Sequence, residues 1–146
     1  MKIIPITKDN HMQLDDLVYW RETGTERAAS AVYPSPAVCA ALDDPNLRVF
    51  GAEMDGRLVG WIALVYQPKV GKWQGHGHIY VDELWVQPEY RRQGIAKALL
   101  AQADLWKEEA GAHGIRLYVN TENPTAKALY EKVGFRADGT AFFMGK

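Results

Sequence analysis

The dipeptide Asp55-Gly56 constrains this chain more than any other pair of residues. It lies between two β-rich runs, Leu47 to Met54 and Leu58 to Tyr66. Both central positions of a two-residue hairpin turn favour positive φ, which Asp and Gly tolerate. The two runs must therefore lie side by side and antiparallel, and the rest of the chain has to be arranged around that hairpin.

Residues 2 to 7 alternate as a short strand, and Lys8-Asp9-Asn10 opens a segment in which Leu14, Leu17, Val18 and Trp20 recur at helical spacing. The stretch 21 to 46 is less regular, with Gly24, Pro34, Pro36 and Asp43-Asp44-Pro45-Asn46 punctuating one or two short helices. Gln67 to Gly77 reads as a mobile loop that delivers the chain into a strand from His78 to Val86, ended by Pro88. A helix follows from Gln93 or Gly94 to about Ala110, with Ile95, Leu99, Ala103 and Trp106 as its apolar stripe. Ile115 to Asn120 reads as a short strand, Pro124 to Val133 as a second amphipathic helix, and Ala141 to Met144 as a last strand. The order β, α, hairpin, β, α, β, α, β predicts an α/β (α+β) fold in which helices flank one sheet. At 146 residues the whole chain, 1 to 146, is expected to be one domain.

Several function classes are set aside by composition. Seventeen Lys and Arg against 18 Asp and Glu give a net charge of −1, so no overall basic field exists to hold nucleic acid. No apolar run is long enough to cross a membrane, and residues 1 to 7 lack the apolar core of a secretory signal. The lone Cys39 has no partner for an intramolecular disulfide and reads as a small apolar filler. A cytoplasmic protein is expected, with no nucleic acid or membrane partner; a homodimer stays open.

The chemistry is written between Val86 and Ala96, where a strand stops, turns through Arg91 and Arg92, and enters a helix at small residues. The first N–H groups of a helix have no intrahelical partner and the dipole's positive end points outward, so an anion docks there. Gly94 and Ala96 keep side chains out of its way. The run has neither the order of a P-loop nor that of a dinucleotide fold. A basic turn before an ordinary helix is the competing reading.

The order Arg91-x-x-Gly94-x-Ala96, after a strand ending Leu84-Trp85-Val86, resembles the acetyl-CoA-binding motif of the GNAT-type N-acetyltransferases. A second stretch, Asn123-x-x-Ala126-x-x-Leu129-Tyr130-x-x-x-Gly134-Phe135, resembles another motif of that family. The close match runs over about residues 78 to 135. The resemblance implies a mixed, mostly antiparallel sheet whose strands splay apart at the cofactor. It implies that backbone groups of Leu84, Trp85 and Val86 hold the pantetheine arm, and that N–H groups from Arg91, Arg92, Gln93, Gly94, Ile95 and Ala96 take the pyrophosphate. Asn123 would contact the pantetheine or its thioester end, and Tyr130 would sit beside the sulfur. Each has a plainer reading: Asn123-Pro124 is a good helix start, and Tyr130 by itself would be a core aromatic.

Acetyl transfer from acetyl-CoA to an amine needs a neutral nucleophile. An alkyl ammonium with pKa near 10.4 is neutral in only about one molecule in 2,500 at pH 7, a deficit of roughly 4.6 kcal/mol. A carboxylate or a water chain must take up the proton. Asp82 and Glu83 are adjacent, so on a regular strand they point to opposite faces unless a bulge intervenes. Asp82 would share a face with Tyr80 and Leu84 and falls where polyamine acetyltransferases of the family carry an acidic residue, so it is taken as the base, with Glu83 at the acceptor. Tyr130, protonated at neutral pH, can donate to the departing thiolate.

His76 and His78 lack an identified third ligand, and no metal is expected. Trp73, in the loop, is expected to line the acceptor site, whereas Tyr19, Trp20, Tyr33 and Trp61 read mostly as core. Residues 1 to 86 hold 8 Lys and Arg against 11 Asp and Glu, whereas residues 87 to 146 hold 9 against 7. The half expected to hold the anionic cofactor is the basic one, and the acidic half suits a small cationic primary amine. A catalytically silent acyl-CoA-binding regulatory module and a protein N-terminal acetyltransferase are the alternatives.

Overall fold

The computed structural model describes residues 1–28, 34–72 and 74–146. Five strands, β1 (Lys2–Pro5), β2 (Leu47–Met54), β3 (Arg57–Gln67), β4 (His78–Val86) and β5 (Gly114–Arg116), form one sheet in the order β1-β2-β3-β4-β5. Among the described residues four helices accompany them: α1 (His11–Thr23), α2 (Pro36–Leu42), α3 (Ile95–Ala110) and α4 (Pro124–Lys132). The first four strands pair antiparallel and β4 pairs parallel with β5. A parallel pair needs a crossover, and α3 supplies it. At the hairpin, Asp55 and Gly56 have φ of 51° and 78°, the two positive values that the turn demands.

Each face of the sheet has its own core. On one face Ile62, Leu64, Ile79 and Val81 meet the stripe Ile95, Leu99, Ala103 and Trp106 of α3. On the other, Trp61 and Leu58 pack with Leu17 of α1 and with Ile6. Burying side chains of this size contributes about 1.5–3 kcal/mol each. Asn10 precedes α1 without capping it; its Oδ1 accepts from the Thr7 N–H at 2.7 Å and its Nδ2 donates to the Pro5 carbonyl at 2.9 Å, turning the chain out of β1. Ser35 caps α2 by accepting from the Val38 N–H, and Cys39 lies half-buried in that helix.

Three expectations are corrected. The strand expected over 115–120 is paired only over Gly114–Arg116. The strand expected at Ala141–Met144 is not formed: these residues pair with no strand of the sheet, and strand-forming residues do not make a ladder by themselves. Of the aromatics read as core, Trp61 is buried, Trp20 is half-buried and Tyr19 is exposed on the outer side of α1. Tyr33 and Trp73 lie outside the described residues.

Candidate active site

The exit of β4 and the start of α3 build the first part of the site. After Val86 the chain makes a 3-10 turn over Pro88–Tyr90, and Arg91 Nε returns 2.8 Å to the Val86 carbonyl. Arg91 therefore braces the loop. Gln93 reaches back from its Nε2 to the Glu89 carbonyl at 3.4 Å. Arg92 and Gly94 adopt φ of 64° and 81°, bending the backbone so that it enters α3 at Ile95. No side chain caps that helix, and a Cβ at Gly94 would meet open space. Ile95 is buried and Ala96 packs on the core, so both face the cradle with backbone N–H groups rather than side chains. An uncapped helix start beside a residue without a Cβ fits a diphosphate.

The second part is an opening in the sheet. Pairing of β4 with β5 stops at Tyr80 and Arg116, so β4 from Val81 to Val86 has no strand on that side among the described residues. The segments part beside Tyr80 and Tyr118, whose rings meet edge-on at 5.9 Å. A strand edge left unpaired over Leu84, Trp85 and Val86 suits an extended arm carrying amides.

Asp82 and Glu83 stand at a β-bulge. Ala63 faces Glu83 and Leu64 faces Val81, leaving Asp82 as the extra residue of β4. Ile79 and Val81 before the bulge, and Leu84 and Val86 after it, all belong to the α3-side core. Asp82 and Glu83 are thus both left on the α1 side, where Trp85 also packs. The expectation that Asp82 shares a face with Leu84 is corrected accordingly. The signal was in the sequence: apolar residues at 79, 81, 84 and 86 are spaced two, three and two apart, and the middle interval is the bulge.

Burial, and then the neighbouring Glu83 carboxylate, raises the Asp82 pKa. Glu83 Oε2 accepts from the Trp61 indole N–H at 3.2 Å. Trp61 stacks at 5.2 Å from Trp85, which lies 6.1 Å from Trp20, and the Arg21 guanidinium sits 5.1 Å over the Trp61 ring. Burial, Asp82 and Tyr118 raise the Tyr80 pKa in the same neighbourhood. Nothing in the sequence singles out Tyr118, and Tyr80 stands out there only as a residue sharing a face with Asp82.

The remaining site residues lie on α4. Asn123 Oδ1 accepts from the Ala126 N–H at 3.0 Å with Pro124 at the first helical position, so its capping role is realised. Tyr130 is half-buried against the α3-side core, its ring edge-on to Phe135 at 5.8 Å, and burial raises its pKa. His76 Nδ1 lies 3.0 Å from the Gly111 carbonyl, and the buried His78 ring meets His113 at 5.4 Å. Among the described residues, no three His, Cys, Asp or Glu side chains are grouped to hold a metal ion, and no helix is long and apolar enough to cross a membrane. A cleft of about 290 Å³ beside Asp16, Trp20, Arg27, Arg57 and Tyr90 lies on the α1 side and is lined by none of Asp82, Glu83, Gly94 or Tyr130.

Comparison with known proteins agrees with this fold. The profile of the Acetyltransferase (GNAT) family matches residues 14–135. A mycothiol acetyltransferase of Paenarthrobacter aurescens is 33% identical over 92 residues, which are 63% of this chain and 28% of that protein. The chain thus spans little more than a quarter of that relative's length. An aminoglycoside acetyltransferase from an uncultured soil metagenomic sample, solved with trehalose, superposes with a TM-score of 0.82 at 19% identity, covering 99% of this chain and 94% of the other. The aminoglycoside N-acetyltransferase AAC(6')-Iy in complex with CoA superposes with a TM-score of 0.77 at 20% identity, covering 99% and 98%. At those identities the two structures speak for the fold.

Proposed function

The chain belongs to the GNAT family of acetyltransferases, and from that premise we propose that it moves acetyl from acetyl-CoA, by direct attack, to a primary amine of a small cationic acceptor. The observation that carries this reading is the bulge, which puts two carboxylates on one face beside the unpaired edge of β4. Acetyl-CoA supplies the acetyl group as a thioester. The N–H groups at the start of α3 would hold its diphosphate over Gly94, and the free edge of Leu84 to Val86 would hold its arm. Asn123, already the cap of α4, would border that arm.

Asp82 takes the proton of the acceptor's ammonium group, directly or through water. Its raised pKa makes it a stronger base than an ordinary aspartate. Glu83, fixed by the Trp61 indole, supplies a second negative charge for a cationic acceptor. Tyr130, held protonated by burial, donates to the departing thiolate. Aminoglycosides, named for two of the structural neighbours, are small cationic amines of the kind proposed.

The test has two arms. Acetyl-CoA should raise the melting temperature, and a flat thermal shift at millimolar concentration would remove the cofactor assignment. A panel of amines, followed by release of free thiol, should show turnover with cationic acceptors; thermal stabilisation without turnover on any amine would favour a silent acyl-CoA-binding module.

A further inference from the structure

We propose that the acceptor is a monoamine whose ammonium group is joined by a short carbon arm to an apolar ring, and that Trp20, Trp85 and Arg21 select it. This rests on the enzymatic reading above and narrows it to a substrate class. The α1 side of β4 carries the carboxylates of Asp82 and Glu83 and, two residues beyond Glu83, the indole of Trp85. From Glu83 onward the pairing with β3 is regular: Glu83 faces Ala63, Leu84 faces Ile62 and Trp85 faces Trp61. The side chains of Glu83 and Trp85 therefore start about 6.5–7 Å apart along the strand. An ammonium group held at the carboxylates has an aromatic wall at that distance, which an arm of about two or three carbons spans.

Three indoles build the wall. Trp61 is 1% exposed, belongs to the core, and spends its N–H on Glu83 at 3.2 Å. Trp85 lies 5.2 Å from Trp61, and Trp20 lies 6.1 Å from Trp85. Both Trp85 and Trp20 are only half-buried, so part of each ring is open to a ligand. Trp20 also lines the cleft of about 290 Å³, which leaves room for substituents on the acceptor's ring.

Such a wall can hold either a second cation or a neutral ring. Arg21 decides between them. Its guanidinium sits 5.1 Å over the Trp61 ring, so the cation position is already filled by a group that stays charged at any working pH. Glu22, itself exposed, pairs with Arg21 at 2.7 Å and holds it there. A second ammonium reaching the wall would have to displace Arg21, whereas a neutral ring stacks on Trp85 and Trp20 beside it. The single positive charge of the acceptor then belongs at Asp82 and Glu83.

Three amines test this, with release of free thiol as the readout. Phenethylamine should be acetylated with a kcat/KM at least about tenfold above that of propylamine, which lacks the ring, and of putrescine, which ends in a second ammonium. In Trp20→Ala the ratio of phenethylamine to propylamine should fall at least about fivefold, mainly through the KM for phenethylamine. In Arg21→Gln the ratio of putrescine to propylamine should rise at least about threefold, because the cation position is vacated. In the parent bound to CoA, nuclear Overhauser contacts from the ring protons of phenethylamine should reach the indole protons of both Trp20 and Trp85. That readout needs no variant and stands even if Trp20→Ala does not fold. Equal kcat/KM for the three amines, a ratio unmoved in either folded variant, or contacts that miss either indole overturns the proposal and leaves the enzymatic reading intact. Turnover with none of the three removes both.

Discussion

Asp82 is where stability and chemistry pull in opposite directions. Burial and Glu83 hold its carboxyl above the ordinary range, so the native state keeps this proton more tightly than the unfolded chain does. Stability from this group is therefore greatest when it is protonated, and it declines as pH rises through the interval between the ordinary value, about 3.9, and the raised native one. Asp82→Asn should accordingly melt at a higher temperature than the parent at pH 7. It should also lose about 10²–10⁴-fold in kcat, together with the acid limb of the kcat/KM profile. A variant with parental turnover would remove Asp82 from the reaction. Tyr130→Phe keeps the ring that packs on Phe135 and deletes only the hydroxyl. It should lower kcat by about 10²-fold or more with little change in KM for acetyl-CoA, and an unchanged kcat would leave Tyr130 as a core aromatic.

At the scale of elements, the start of α3 makes the sharpest prediction. Gly94→Val places a branched side chain at φ 81°, which costs about 1–2 kcal/mol, and fills the open space in front of the helix. The variant should fold, melt somewhat lower, and show no thermal shift with acetyl-CoA. Gly77→Ala is the control, because its Cβ would be forced against the Gln67 carbonyl and the Tyr66 ring, away from the cradle. It should melt lower yet keep the shift. The elements that sequence reveals are those with local causes. Asp55-Gly56 has a turn chemistry of its own, and α3 has a four-residue apolar stripe that matches its buried face. The pieces left hidden depend on partners. Arg91 spends its Nε on a carbonyl five residues back, and the bulge at Asp82 exists only against β3. Residues 117–120 and 141–144 have strand-forming sequences but no ladder within the chain, so propensity overstated them.

At the scale of the whole molecule, near-neutrality hides a division. The residues up to Val86 carry a net −3 from 8 cations and 11 anions, and those after it a net +2 from 9 and 7. A cationic acceptor meeting the acidic half should be favoured over an acidic amine of similar size in kcat/KM. Raising ionic strength from about 0.05 M to about 0.5 M should reduce that preference. Faster acetylation of the acidic amine, or a preference indifferent to salt, would count against it. The extra residue at Asp82 bears on this molecule's tolerance of sequence change. It acts as a shift of reading frame within β4: before it the odd-numbered side chains face α3, and after it the even-numbered ones do. Deleting Asp82 or Glu83 would make the spacing of Ile79, Val81, Leu84 and Val86 an even two throughout, so both flanks would keep their faces while the bulge and one of its carboxylates were lost. A lineage can therefore lose a residue there without remaking the core, but only by giving up the pair of carboxylates on one face.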